Sequence, residues 1–403
     1  MTIPIPKKQL TRRNFLIGAG AVAGATLLPS AWTALHGSSW FVRPLTLKAG
    51  LLLPKAGGYP RLAEQIRAGF AAATHPALAS LELVSADIDA GYGAAAQQTQ
   101  RLLSQGYVDL VIAFVNPQVA ARLAPQFEAQ QRPLIVLDSG ANMVRAAQRS
   151  PAVYYNSLGH WQAAYAEGRR LVDQYGPRVF IATAFFDSGF DSLNAVQQGV
   201  RDAGGDVVQT FVTHIDPRRH AVDGAIDAIR SERPDSVYAL YSGAAAADFV
   251  TAFDDADLAA ATPLSGSGFL TEGAALTALG GRAAGLTTTL GWAADSTHPV
   301  AVARGDAFAT LAYDTVQFIG AAVQVAGAPT RWGEHALTLT VAGARGDLAL
   351  DAATQVLTGP IYKRENRWVA GAPVNVARET LPPPAAPAVP EMASSWLNPY
   401  LCG

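Results

Sequence analysis

From residue 45 onward, short apolar runs alternate with one-sided helical patterns. Leu45 to Pro54 is an apolar run closed by Pro and Gly, as a strand buried on both faces is. After a turn over Lys55 to Pro60, Leu62, Ile66 and Phe70 recur at helical spacing on one face. The alternation continues with a strand over Leu81 to Val84, a helix over Ala94 to Ser104 ended by Gly106, and a strand over Val108 to Val115. A one-sided helix through Val119, Leu123 and Phe127 then leads to a strand over Leu134 to Leu137.

A second series follows. A helix over Trp161 to Tyr175 precedes a strand over Val179 to Ala184, and a helix turns Leu193, Val196 and Val200 inward. A strand over Val207 to Val212, a helix over Val222 to Ser231 and a strand over Ser236 to Tyr241 complete it. Alternation of this kind predicts an α/β class with parallel sheets. Two such series predict two doubly wound lobes. Ligands of open α/β sheets sit beyond the carboxyl ends of the strands, so facing lobes place a site in the cleft between them.

The first residues follow a different rule. Lys7, Lys8, Arg12 and Arg13 precede a moderately apolar run, Phe15 to Leu28, diluted by Gly18, Gly20 and Gly24. The run is shorter than the roughly twenty residues a membrane-spanning helix needs. Thr11-Arg12-Arg13-Asn14-Phe15-Leu16 resembles a twin-arginine export signal, with Arg12 and Arg13 as its paired cations. Residues 1–39 are therefore read as a signal peptide and the destination as the periplasm. No cysteine closely follows the apolar run, which argues against a lipid anchor.

Composition narrows the chemistry. The chain has 403 residues, 50% hydrophobic and 15% charged, enough for two cores. Its net charge of −2 gives no basic field for nucleic acid. The single cysteine, Cys402, excludes an internal disulfide and a thiolate zinc site. The seven histidines do not pair with each other or with acids at metal-ligand spacing. The glycines at 18, 20 and 24 follow no strand, and neither a nucleophile elbow nor a phosphate loop occurs. These patterns point to no cofactor, no metal and no enzyme, and so to binding.

Five passages in order resemble the type I periplasmic binding proteins, near their branched-chain amino-acid receptor branch. They are Val179-Phe180-Ile181-Ala182 with Phe186-Asp187-Ser188-Gly189-Phe190, then Val200 to Val208 around Ala203-Gly204-Gly205, then Arg233-Pro234-Asp235-Ser236-Val237. Leu311-Ala312-Tyr313-Asp314-Thr315-Val316 and Gly346 to Asp351 follow. The resemblance covers about 45–375. It implies two lobes joined by three crossings, with lobe 1 at 45–155 plus 270–335 and lobe 2 at 156–269 plus 336–378. Residues 379–403, Pro-rich at first, are read as a C-terminal extension. It further implies a solute receptor that delivers a small molecule to the permease and ATPase subunits of an ABC importer. The chain would meet the membrane only through the leader or the permease. The alternative is a periplasmic ligand sensor or accessory protein using the same closure.

Carried over position by position, the resemblance implies ligand contacts from Tyr59 after the first strand, Asn116 after the third, and Ser139, Gly140 and Asn142 after the fourth. From the second lobe it implies Phe190, Tyr241, Ser267 and Phe269, with Trp292 beyond them. Amino-acid receptors of this branch often have a tyrosine in the turn where Phe190 stands, and an acid where Ser265-Gly266-Ser267-Gly268-Phe269 has none. An unpaired ammonium in a closed cleft is costly. The aromatic residues instead suit an apolar or aromatic ligand.

Overall fold

A computed structural model describes residues 43–55, 61–88, 92–214, 222–294, 306–369, 371–382 and 384. The first sheet is built from β1 (Leu45–Pro54), β2 (Leu78–Ile88), β3 (Leu110–Phe114), β4 (Leu134–Asp138) and β5 (Val153–Ser157), all parallel, in the order β2-β1-β3-β4-β5. Their period of two splits the apolar side chains between faces. Ala49, Leu51, Ile112 and Ile135 face α1 (Leu62–Ala72) and α9 (Ala307–Ala326). Leu52, Val111, Ala113 and Val136 face α2 (Tyr92–Ser104) and α3 (Pro117–Gln130). The predicted stripe Leu62, Ile66 and Phe70 is buried in the first of these layers.

The second sheet repeats the plan with β6 (Arg178–Ala184), β7 (Asp206–Thr213), β8 (Ser236–Leu240), β9 (Leu264–Ser267) and β10 (Thr287–Leu290), in the order β7-β6-β8-β9-β10. Helices α4 (His160–Tyr175) and α5 (Asp191–Asp202) cover one face. Helices α6 (Val222–Glu232), α7 (Gly243–Asp255) and α8 (Gly273–Leu279) cover the other. In both sheets the strand order reverses beside the first strand, which makes the loops after β1, β3, β6 and β8 the switch points.

Each parallel sheet carries antiparallel strands at one edge. The first ends in β11 (Thr340–Gly343), β12 (Gly346–Leu350) and β13 (Val356–Thr358); β13 pairs parallel with β5, and β12 runs antiparallel between β13 and β11. The second ends in the ribbon β14 (Ile361–Val369) and β15 (Ala372–Leu381). This corrects two of the predicted boundaries. Residues 270–290, assigned to lobe 1, lie with the second sheet through β10, and residues 340–358, assigned to lobe 2, complete the first through β11 to β13. Strand ladders override the motif order here: β10 pairs along β9, and Gly346 to Leu350 pairs with β11 and β13. The predicted extension also begins later than residue 379, because β15 runs to Leu381.

Among the described residues the chain passes between the sheets after β5, after β10 and after β13. The first two passages touch: the Gly291 amide donates to the Leu158 carbonyl at 3.1 Å. A Cβ on Gly291 would lie 2.6 Å from that oxygen, so only glycine fits this approach.

Candidate functional site

The crossings are fixed by buried ions. Asp314, within the Ala-Tyr-Asp passage on α9, accepts from Arg345 Nε at 2.6 Å and from the Ala344 amide at 2.5 Å. Arg345 also donates to the Ser157 carbonyl and to Asn156 Oδ1 at the end of β5. Tyr362, just past the third crossing, donates its hydroxyl to the Arg345 carbonyl at 2.9 Å. In the second lobe Arg364, fully buried, donates to Glu272 Oε1 at 2.5 Å, to the Gly268 carbonyl at 2.8 Å and to the Trp292 carbonyl at 3.2 Å. Each guanidinium thus spends its fork on several acceptors, which is what a buried cation requires.

At the switch point of the first sheet lies a narrow pocket between the lobes. Phe114, Asn116, Asp138, Ser139 and Asn142 line it from the first lobe, and Phe190 closes it from the second. Asn116 lies just past β3 and caps α3, its Oδ1 accepting from the Val119 amide at 2.8 Å, with Pro117 opening the helix. Its Nδ2, in a residue 5% exposed, has no hydrogen-bond partner among the described residues. A buried amide donor of this kind is costly unless something accepts from it.

The turn after β4 depends on Gly140. Its φ is +73°, and a Cβ there would lie 2.3 Å from Ser157 Oγ and 2.7 Å from the Gly159 amide nitrogen. The carbonyls of Ser139 and Gly140 accept from the amides of His160 and Trp161, which ties the turn to the start of α4. Asp138 accepts from the Gly140 amide at 3.0 Å. Burial pushes its carboxyl up to about 7, against the opposing hydrogen bonds from Ser157 and Gly140. Among the described residues no basic side chain lines the pocket, and the donors there are neutral.

The structure brings Asn116, Ser139, Asn142 and Phe190 together at this pocket, with Gly140 shaping the turn between them. The other expected contacts of the second lobe lie elsewhere. Tyr241 turns into the core of the second sheet, stacked on Phe249 at 4.5 Å, and lies 3.4 Å from the Thr213 hydroxyl. Ser267 donates to the Tyr241 carbonyl. Phe269 and Trp292 belong to the apolar layer shared with α9, where Phe269 stacks on Phe308. Packing against apolar neighbours draws these three rings away from the described pocket. Trp292 is buried, and its indole N–H has no partner among the described residues. Tyr59, Arg12 and Arg13 lie outside the described residues.

Asp187 opens the short turn Asp187–Gly189 and accepts from the Ser242 hydroxyl at 2.9 Å. Burial pushes it up to about 7. Two residues escaped the sequence reading. Asp191 is 1% exposed at the first turn of α5, and Arg145 reaches it from the first lobe at 3.1 Å. The available signal was an acid opening a helix, ordinarily a dipole partner for that helix rather than a link to another lobe. Among the described residues no cluster of His, Cys, Asp or Glu is arranged to hold a metal, and no helix is long and apolar enough to cross a membrane.

The chain is similar to known receptors over most of its length. It is 24% identical over 261 residues to Leu/Ile/Val-binding protein homolog 6 of Brucella melitensis, a match that covers 63% of this chain and 66%, just under two thirds, of that relative. A solute-binding protein of an ABC transporter from R. palustris, solved in complex with benzoate, is 26% identical with a TM-score of 0.69, covering 86% of this chain and 99% of that one. An ABC transporter substrate-binding protein from Sphaerobacter thermophilus shares the fold at a TM-score of 0.74 and 19% identity, over 84% of this chain and 98% of that one. The model of the periplasmic binding protein family matches residues 46–362. With two doubly wound lobes, three crossings and a pocket at the switch point, the chain belongs to the periplasmic binding protein family, in its type I form.

Proposed function

We propose that this protein captures a small aromatic carboxylate in the cleft between its lobes and delivers it to an ABC importer from the periplasm. The carrying observation is the free Nδ2 donor of Asn116 in a pocket walled by Phe114 and Phe190. Aromatic walls suit an aromatic ring, which enters as the lobes part, and a carboxylate oxygen is the acceptor that buried amide lacks. Among the described residues the lining offers neutral donors only, which suits a weakly hydrated monoanion better than a phosphate. The similar R. palustris protein was solved with benzoate, which supports the same ligand class. The leader at 1–39, with Arg12 and Arg13, supports export in the folded state.

A thermal-shift screen tests the ligand class. Benzoate, 4-hydroxybenzoate and 3,4-dihydroxybenzoate raise the melting temperature in proportion to the logarithm of their excess over Kd, whereas leucine leaves it unchanged. A rise with leucine and none with the benzoates would reverse the assignment. Uptake tests the delivery step: a deletion strain takes up the bound compound slowly, and normal uptake would move the role from import to sensing.

A further inference from the structure

The loop after β4 does more than line the pocket. Five contacts join its residues 141–145 to residues 190–192 at the start of α5 in the other lobe. The Ala141 carbonyl accepts from the Ser192 amide at 3.0 Å, and Asn142 Oδ1 accepts from the Asp191 amide at 3.4 Å. The Met143 amide donates to Asp191 Oδ2 at 3.0 Å. One Arg145 terminal nitrogen lies 3.1 and 3.2 Å from the two Asp191 carboxylate oxygens. The rings and methyls follow suit, with Ala141 packed on Phe190 as an apolar pair of their own.

We infer that Arg145 and Asp191 are positioning residues that latch the two lobes, hold Phe190 over the pocket and set the residence time of a bound ligand. The inference rests on the cleft reading above. Phe190 directly precedes Asp191, so the carboxylate fixed by Arg145 and by the Met143 amide also fixes the ring beside it. Ser139, Ala141 and Asn142 on one side and Phe190 on the other are all pocket walls. Parting of loop 141–145 from α5 widens the gap between these walls. None of the five contacts uses a ligand atom, so they favour closure in the free protein and in the complex alike. Asp191 is nearly inaccessible and Arg145 only partly exposed, so water screens the pair little. Losing one partner of such a pair acts chiefly on dissociation.

The test uses the full chain, with Arg145→Gln, Asp191→Asn and the double variant, and benzoate as the probe. Stopped-flow binding is expected to give a dissociation rate about tenfold faster in each single variant, with association changed by less than about threefold. The double variant is expected to resemble either single one, because both remove the same link. Unchanged dissociation, or losses that multiply in the double variant, would overturn the latch. Solution scattering of the free protein reads the latch without any ligand. Arg145→Gln should raise the radius of gyration towards an open form at an unchanged melting temperature, and an identical radius would overturn the inference. Should benzoate fail to bind the unaltered protein, the ligand class fails, and scattering alone decides the latch.

Discussion

Asp314 Oδ2 and Arg345 Nε meet at 2.6 Å with almost no solvent exposure of either side chain, and the pair ties α9 to the end of β5 where the chain first changes lobes. Removing one partner leaves a buried charge uncompensated. Arg345→Met should destabilise the fold by about 3–5 kcal/mol. Asp314→Asn, which keeps a carbonyl acceptor but removes the charge, should cost less. Denaturant unfolding of both variants measures the difference, and a loss under about 1 kcal/mol for Arg345→Met would mean the pair holds nothing in place.

Asn116 has two separable tasks. Its Oδ1 caps α3, while its Nδ2 is assigned to the ligand. Asn116→Asp keeps a cap of equal quality and turns the donor into an acceptor. Burial of the new charge should cost about 1–3 kcal/mol of stability once the carboxyl ionises, while affinity for benzoate should fall by tenfold or more, about 1.4 kcal/mol. Calorimetry on both proteins checks this, and equal affinity would remove Asn116 from the site.

Gly140 sits at φ +73° against the Ser157 hydroxyl. Alanine there adds backbone strain of about 1–3 kcal/mol besides the clash. Gly140→Ala should lower the melting temperature and weaken ligand binding together, since the same turn carries Ser139 and Asn142. Binding as tight as in the unaltered protein would show that the turn tolerates rearrangement.

His160 gives the fold an acid limit. It is buried at the start of α4, edge-on to Phe269, and neither ring nitrogen has a partner among the described residues. Burial pushes its imidazole down to about 4, so the folded state favours the neutral ring. Its contribution is complete above about pH 6.5 and is lost as the pH falls towards 4. Asp138 and Asp187, raised to about 7, act in the opposite sense, contributing most at low pH and losing that contribution as the pH rises through 7. Comparing variant with parent isolates the histidine. His160→Phe should lose less melting temperature than the parent between about pH 7 and pH 5, and parallel curves would contradict this.

The sheets were legible in sequence because each strand is a short apolar run and each helix shows its buried stripe, as Leu62, Ile66 and Phe70 do. Of the parallel strands β1 to β10, the short β5, β9 and β10 were missed. The antiparallel edges were not legible either: which sheet receives Thr287–Leu290 or Gly346–Leu350 depends on ladder partners far along the chain, not on local pattern. The same divide separates the site residues. Asn116 and Ser139 sit just past strand ends, where topology fixes their position. Tyr241, Phe269 and Trp292 also follow strands, but a large ring can turn into either core or cleft, and apolar neighbours took these three. Arg145 and Asp191 are 46 residues apart in sequence and meet only once the lobes face each other.

Isothermal titration of the full chain with benzoate tests the account most directly. It predicts saturable binding of one benzoate per chain, weakened at least about tenfold by Phe190→Ala, which strips one aromatic wall from the pocket. No saturable heat with benzoate, or binding that Phe190→Ala leaves untouched, would contradict an aromatic carboxylate held between these lobes.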